Sequence, residues 1–167
     1  MTEYPRPTKV HAIMLPGVNR VLAALYTYAW FADGAWWRID IPPGFVWDQA
    51  SIPRLVWSIV APSDLHPAAA LLHDWIYRWA GTMPGFYVWP EDDPNGGWRR
   101  PEHAMSRGEG DALFSNIIRV TGTSRVRRWP VHGIVRSLGR GAFQLADNPM
   151  DKDNTLDRYP DLQEALS

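Results

Sequence analysis

The stretch Val21–Ile41, VLAALYTYAWFADGAWWRIDI, decides the fold class. Two apolar and aromatic runs, Val21–Phe31 and Ala35–Ile41, flank Ala32-Asp33-Gly34. Asp-Gly between such runs predicts a β-hairpin, because both central positions of its tight turn need a positive φ. Trp37, Ile39 and Ile41 alternate with Trp36, Arg38 and Asp40, the period of a strand with one buried face. Working outward, Val10–Met14 reads as a short strand ahead of a Pro16-Gly17 turn, and Pro42-Pro43-Gly44 leads into another at Phe45–Trp47. The N-terminal third is therefore predicted to be a small antiparallel sheet.

The middle of the chain changes period. Ser51 can cap a short helix with Pro53 in its first turn and Leu55, Val56 and Ile59 as its stripe. His66–Trp79 reads as a second helix; Asp74 and Arg78 are its only formal charges, and a helix apolar all round is buried. Ser106-Arg107-Gly108-Glu109 fits a capping box that opens a third, with Leu113, Phe114, Ile117 and Ile118 inward and Gly122 at its end. Pro130 starts a fourth, running to Leu138. The expected architecture is α+β, the sheet packed on about four helices.

Composition sets the outer limits. With 46% hydrophobic and 21% charged residues in 167, the chain suits one globular domain. The absence of Cys excludes a disulfide framework and thiolate metal sites. A net charge of −1 supplies no field for nucleic acid or anionic lipid. No run approaches the ~18 apolar residues of a membrane span, and Met1–Pro7 lacks the pattern of a secretory signal. The domain is expected to run from 1 to 143.

Two segments stand apart. Gly81–Met105 holds four Pro, four Gly and no periodicity, and is expected as a long surface insertion. Its Phe86, Tyr87, Trp89 and Trp98 are candidate partner contacts, since aromatics are enriched at interface hot spots; the competing reading folds them back over the core. Residues 144–167 carry six acidic and two basic residues, whereas 99–143 carry nine Arg against three acids. The tail is thus predicted to be an acidic, extended arm with Leu156, Tyr159 and Leu162 as anchors. Arg125, Arg127, Arg128, Arg136 and Arg140, near Trp129, are read as a solvated face or a dock for that tail, ahead of nucleic-acid binding.

The chemical signal is His73-Asp74 inside the apolar helix. A buried imidazole and carboxylate need partners, because isolated buried charge costs several kcal/mol. One reading is structural: Asp74 paired with Arg78 at i+4, and His73 bonded to a backbone carbonyl. The other makes His73 and Asp74 catalytic or metal-binding. Asp48 at the end of its strand and Asp111 at the edge of the third helix's stripe would complete an oxygen-and-imidazole set. Such a set suits Zn²⁺, Mn²⁺ or Mg²⁺.

Three ordered blocks carry a resemblance. Pro43-Gly44-Phe45-Val46-x-Asp48-x-Ala50-Ser51-x-Pro53-Arg54, Ala70-x-Leu72-His73-Asp74-Trp75-x-Tyr77-Arg78 and Ser106-Arg107-x-x-x-Asp111-x-x-Phe114 resemble the domain of unknown function 1353 family of tailed bacteriophages and prophages. The pattern positions are Asp48, Ser51, Pro53, His73, Asp74, Tyr77 and Asp111. Trp47, Gly110 and Pro130 depart from the pattern. The resemblance brings no established activity. It implies a phage-encoded protein of the virion or host cytoplasm, a non-enzymatic virion or tail-associated component binding other virion proteins or copies of itself. The alternative is a small metal-dependent hydrolase of cell wall or phosphoester, with Asp48, His73, Asp74 and Asp111 around the ion.

Overall fold

In the computed structural model, residues 2–14, 19–48, 66–93, 95–122 and 143 are described. The hairpin forms where Asp33-Gly34 places it. Strands β3 (Tyr26–Ala32) and β4 (Ala35–Ile41) pair antiparallel, with Ala32 opposite Ala35. Asp33 and Gly34 have φ of 52° and 71°, the left-handed pair that a two-residue turn of this hand requires. The indole Nε1 of Trp37 donates to the carbonyl of Ala32 at 3.0 Å, fastening the turn. Ile39 and Ile41 are fully buried, while Trp36 on the opposite face is exposed. The alternation read from the sequence is the alternation seen.

There are two sheets among the described residues rather than one. β1 (Ala12–Met14), β2 (Asn19–Leu22) and β5 (Val46–Asp48) form an antiparallel sheet in the order β1-β2-β5. β3 and β4 form the second with β6 (Phe86–Pro90), in the order β3-β4-β6. The run Val21–Phe31 is thus divided between sheets, with Ala23–Leu25 as the break. Both edges of the second sheet are covered by the chain's own backbone. Glu3 bridges to Phe31 on one side and Arg99 to Val88 on the other.

β6 falls within residues 81–105. Phe-Tyr-Val-Trp is strand-forming by composition, and β4 offers it a free edge; tertiary pairing overrides the surrounding Pro and Gly. Met83, Phe86 and Met105 are buried in the main core, so this stretch completes the domain. Tyr87 and Trp98 enclose the Arg38 guanidinium, 4.8 and 4.7 Å from the ring centres, and Trp89 meets Trp98 edge-on. These aromatics pack on one another and on Arg38 of their own sheet.

Two helices of the expected four are described; those expected over 51–59 and 130–138 fall outside the described residues. α1 (Pro67–Arg78) is capped by His66, whose ring accepts from the amide of Ala68. Ala68, Ala69, Leu71, Leu72, Trp75, Ile76 and Tyr77 are buried on it, so the apolar helix is central as predicted. α2 (Arg107–Val120) opens with both bonds of the Ser106–Glu109 capping box. The tail, with Leu156, Tyr159 and Leu162, also lies outside the described residues.

Two glycines set how the helices meet. A Cβ on Gly110 would stand 3.0 Å from Ile76 Cγ2, so the missing side chain lets α2 approach α1 closely. Gly81, at φ 79°, turns the chain out of α1 where a Cβ would lie 1.8 Å from the carbonyl oxygen of Met105. Its own carbonyl accepts from the Met105 amide at 3.0 Å, tying the end of α1 to the approach of α2.

Candidate functional site

The close approach of α1 and α2 brings His73 and Tyr77 to Asp111, with Asp74 beside His73 on α1. His73 and Tyr77 are four apart and share a face of α1. Across the gap, Asp111 is one turn into α2 and only 5% exposed, at a helix start that favours an acid. The hydroxyl of Tyr77 donates to Asp111 Oδ1 at 2.6 Å. His73 Nε2 lies 3.5 Å from the same oxygen, and His73 Nδ1 lies 3.8 Å from Asp74 Oδ1. Arg107, one turn back on α2, stands 3.9 Å from Asp111 Oδ2. The imidazole is therefore held between two carboxylates, one from its own helix and one from its neighbour.

Packing fixes the ring. His73 lies against Tyr77 with centroids 4.0 Å apart and against Phe114 at 5.0 Å, and its side chain is 12% exposed. Phe143 meets the other ring edge-on, 5.2 Å from Tyr77. His73 Nε2 is buried and makes no hydrogen bond, with Asp111 Oδ1 3.5 Å away.

Electrostatics follow from this enclosure. Burial opposes a charged His73, but the Asp111 and Asp74 carboxylates beside it outweigh that and raise the ring's pKa above 6.5. Burial likewise opposes the Asp111 carboxylate; His73, Tyr77 and Arg107 nevertheless pull its pKa below the ordinary value. The Tyr77 phenol is pushed upward by burial and by the carboxylate it bonds, so it stays a donor at any physiological pH. Near neutrality the arrangement is an anion stabilised by a phenol, an imidazole and a guanidinium.

Of the residues singled out in the sequence, His73, Asp74, Tyr77 and Asp111 converge. The side chain of Asp48 and all of Ser51 and Pro53 lie outside the described residues. The backbone of Asp48 ends β5 opposite Asn19, and the turn before that strand packs on α1 through Phe45, edge-on to Trp75 at 4.8 Å. Arg78 sits over the Phe45 ring at 5.5 Å. Among the described residues no group of three His, Asp or Glu side chains is arranged to hold a metal ion. Sequence reasoning gave Arg107 no part in the cluster and placed Phe114 only in the inward stripe of its helix. The i, i+4 spacing of Arg107 and Asp111 was the signal available for the first; contact of Phe114 with His73 is tertiary and left none.

The domain is thus an α+β fold whose two described helices are joined by a buried His–Asp–Tyr cluster. The chain belongs to the family described as protein of unknown function (DUF1353), whose family model matches residues 22–135. That span contains all four converging residues. Comparison with curated proteins and with solved structures gives no match. Among the described residues no helix is long and apolar enough to cross a membrane.

Proposed function

We propose that this chain is a non-enzymatic structural or assembly component of a bacteriophage particle, in which the His73–Asp111 cluster holds α1 to α2. One observation carries this reading. Asp111, the most deeply buried acid among the described residues, already faces a phenol, an imidazole and a guanidinium from inside the domain. Its oxygens are engaged in joining two helices, which leaves little capacity for substrate or ion. The resemblance to a family of tailed phages supplies the setting, and the opposite charges of 99–143 and 144–167 supply a means of association between copies.

Analytical ultracentrifugation of the full chain and of a chain ending at Phe143 tests this. Self-association of the full chain, lost on truncation with the helical signal retained, supports it. A full chain that stays monomeric at high concentration contradicts it.

A second reading rests on a different observation, the buried Nε2 of His73 without a hydrogen-bond partner. It keeps the metal-dependent hydrolase, with Asp48 joining His73, Asp74 and Asp111. Stoichiometric Zn²⁺, Mn²⁺ or Mg²⁺ in the purified protein, lost in His73→Ala, would favour it over the assembly role.

A further inference from the structure

A second feature lies on the other side of α2. Between the inner face of the β3-β4-β6 sheet and α2 there is a cavity of about 550 Å³. That size falls within the roughly 300–1,000 Å³ of small-molecule sites. Its walls include Trp30, Trp37 and Phe86 from three adjacent strands, and these rings stack on one another. Trp30 and Trp37 have centroids 6.5 Å apart at 18°, and Trp37 and Phe86 5.5 Å apart at 22°. Ala32, Ala104 and Ala112 also line it, small side chains that leave the space open. At the mouth stand Asp33, Arg99, Glu102 and His103, all exposed.

We propose that this cavity is a binding site for a neutral sugar ring of an oligosaccharide. Trp37, the least buried of the three rings and backed by Trp30 and Phe86, offers the cavity an aromatic surface for the C–H face of a pyranose. The mouth offers donors and acceptors side by side, Arg99 and His103 with Asp33 and Glu102. A hydroxyl group donates and accepts at once and can use both kinds. An anionic ligand would meet Asp33 and Glu102, and a cationic one Arg99, so the mixed rim selects against formal charge of either sign. A purely apolar ligand would strip water from four polar side chains and return no hydrogen bonds. This inference does not depend on the assembly reading, since a monomer with no partner could still bind a glycan.

The test uses the full chain on an array of neutral oligosaccharides, followed by titration of the strongest glycan while tryptophan fluorescence is monitored. Binding to at least one glycan is expected, with a shift in emission from Trp30 and Trp37. Ala104→Phe and Ala112→Phe, both at exposed backbone positions on the cavity wall, should weaken it about tenfold or more by occupying the ring's place. Arg99→Ala and Glu102→Ala read the same site by removing a donor and an acceptor from its rim. Failure to bind any glycan on the array would overturn the proposal. So would affinity left unchanged by all four variants. Binding of 1-anilinonaphthalene-8-sulfonate that Ala112→Phe abolishes, with no glycan bound, would assign the cavity to apolar anions and also overturn it.

Discussion

The hydroxyl of Tyr77 on α1 and the carboxylate of Asp111 on α2 share a 2.6 Å hydrogen bond inside the domain, 34 residues apart in sequence. Both side chains are buried, Tyr77 at 7% and Asp111 at 5% exposure. The bond is therefore short, charge-assisted and shielded from water, the setting in which such a contact contributes most. Tyr77→Phe keeps the ring and removes the donor. Denaturant unfolding should show a loss of about 1.5–3 kcal/mol, the usual contribution of a hydrogen bond to a charged group.

His73 and Asp111 should make stability depend on pH in opposite directions. His73 has a raised pKa when folded, so its charged form adds stability below its ordinary value of 6.5. That contribution disappears as pH rises through the raised value. Asp111 has a lowered pKa, so its contribution is present above its ordinary 3.8 and is lost as pH falls through the folded value. The difference in melting temperature between the wild type and His73→Gln should therefore be largest between about pH 4 and 6.5 and shrink as pH rises through the raised value. A difference that grows with rising pH would mean that His73 is neutral in the folded protein.

Gly81 is expected to tolerate no side chain. Its φ of 79° and the Met105 carbonyl oxygen, 1.8 Å from where a Cβ would stand, act together. Gly81→Ala should lower stability by more than about 1 kcal/mol in thermal unfolding, against the gain that replacing glycine brings where the backbone allows it.

Deleting Pro84–Gly97 separates two roles for that stretch. It removes β6, and with it Phe86, which is 4% exposed and stacked on Trp37. Circular dichroism of the deletion should show a chain that no longer melts cooperatively. A deletion that folds normally would return the segment to the status of a surface appendage.

Local chemistry was legible in the sequence; pairing at a distance was not. Asp33-Gly34 needs no context to specify its turn, and Ser106 with Glu109 closes a cap within one turn of helix. The convergence of His73 with Asp111 was legible in part, because each polar group sat on or beside an apolar face and required a partner. β6 was missed because five residues ending in Pro90 show no alternation, and only β4 gives them a partner. The break at Ala23–Leu25 was missed because its residues are as apolar as the strands they separate. Arg78 had an acid at i−4 in Asp74, yet its guanidinium lies over the Phe45 ring, a contact set by how the turn before β5 packs on α1.

The structural role of the cluster is tested most directly by the unfolding free energy of Asp111→Ala beside the wild type, both in excess EDTA. Removing the acid takes from the buried His73 and Tyr77 the carboxylate they share, and a loss of about 3–5 kcal/mol is expected, with the wild type itself unmoved by the chelator. A wild type that falls to the level of Asp111→Ala in EDTA would show that a bound metal, not the hydrogen-bonded cluster, holds the two helices together.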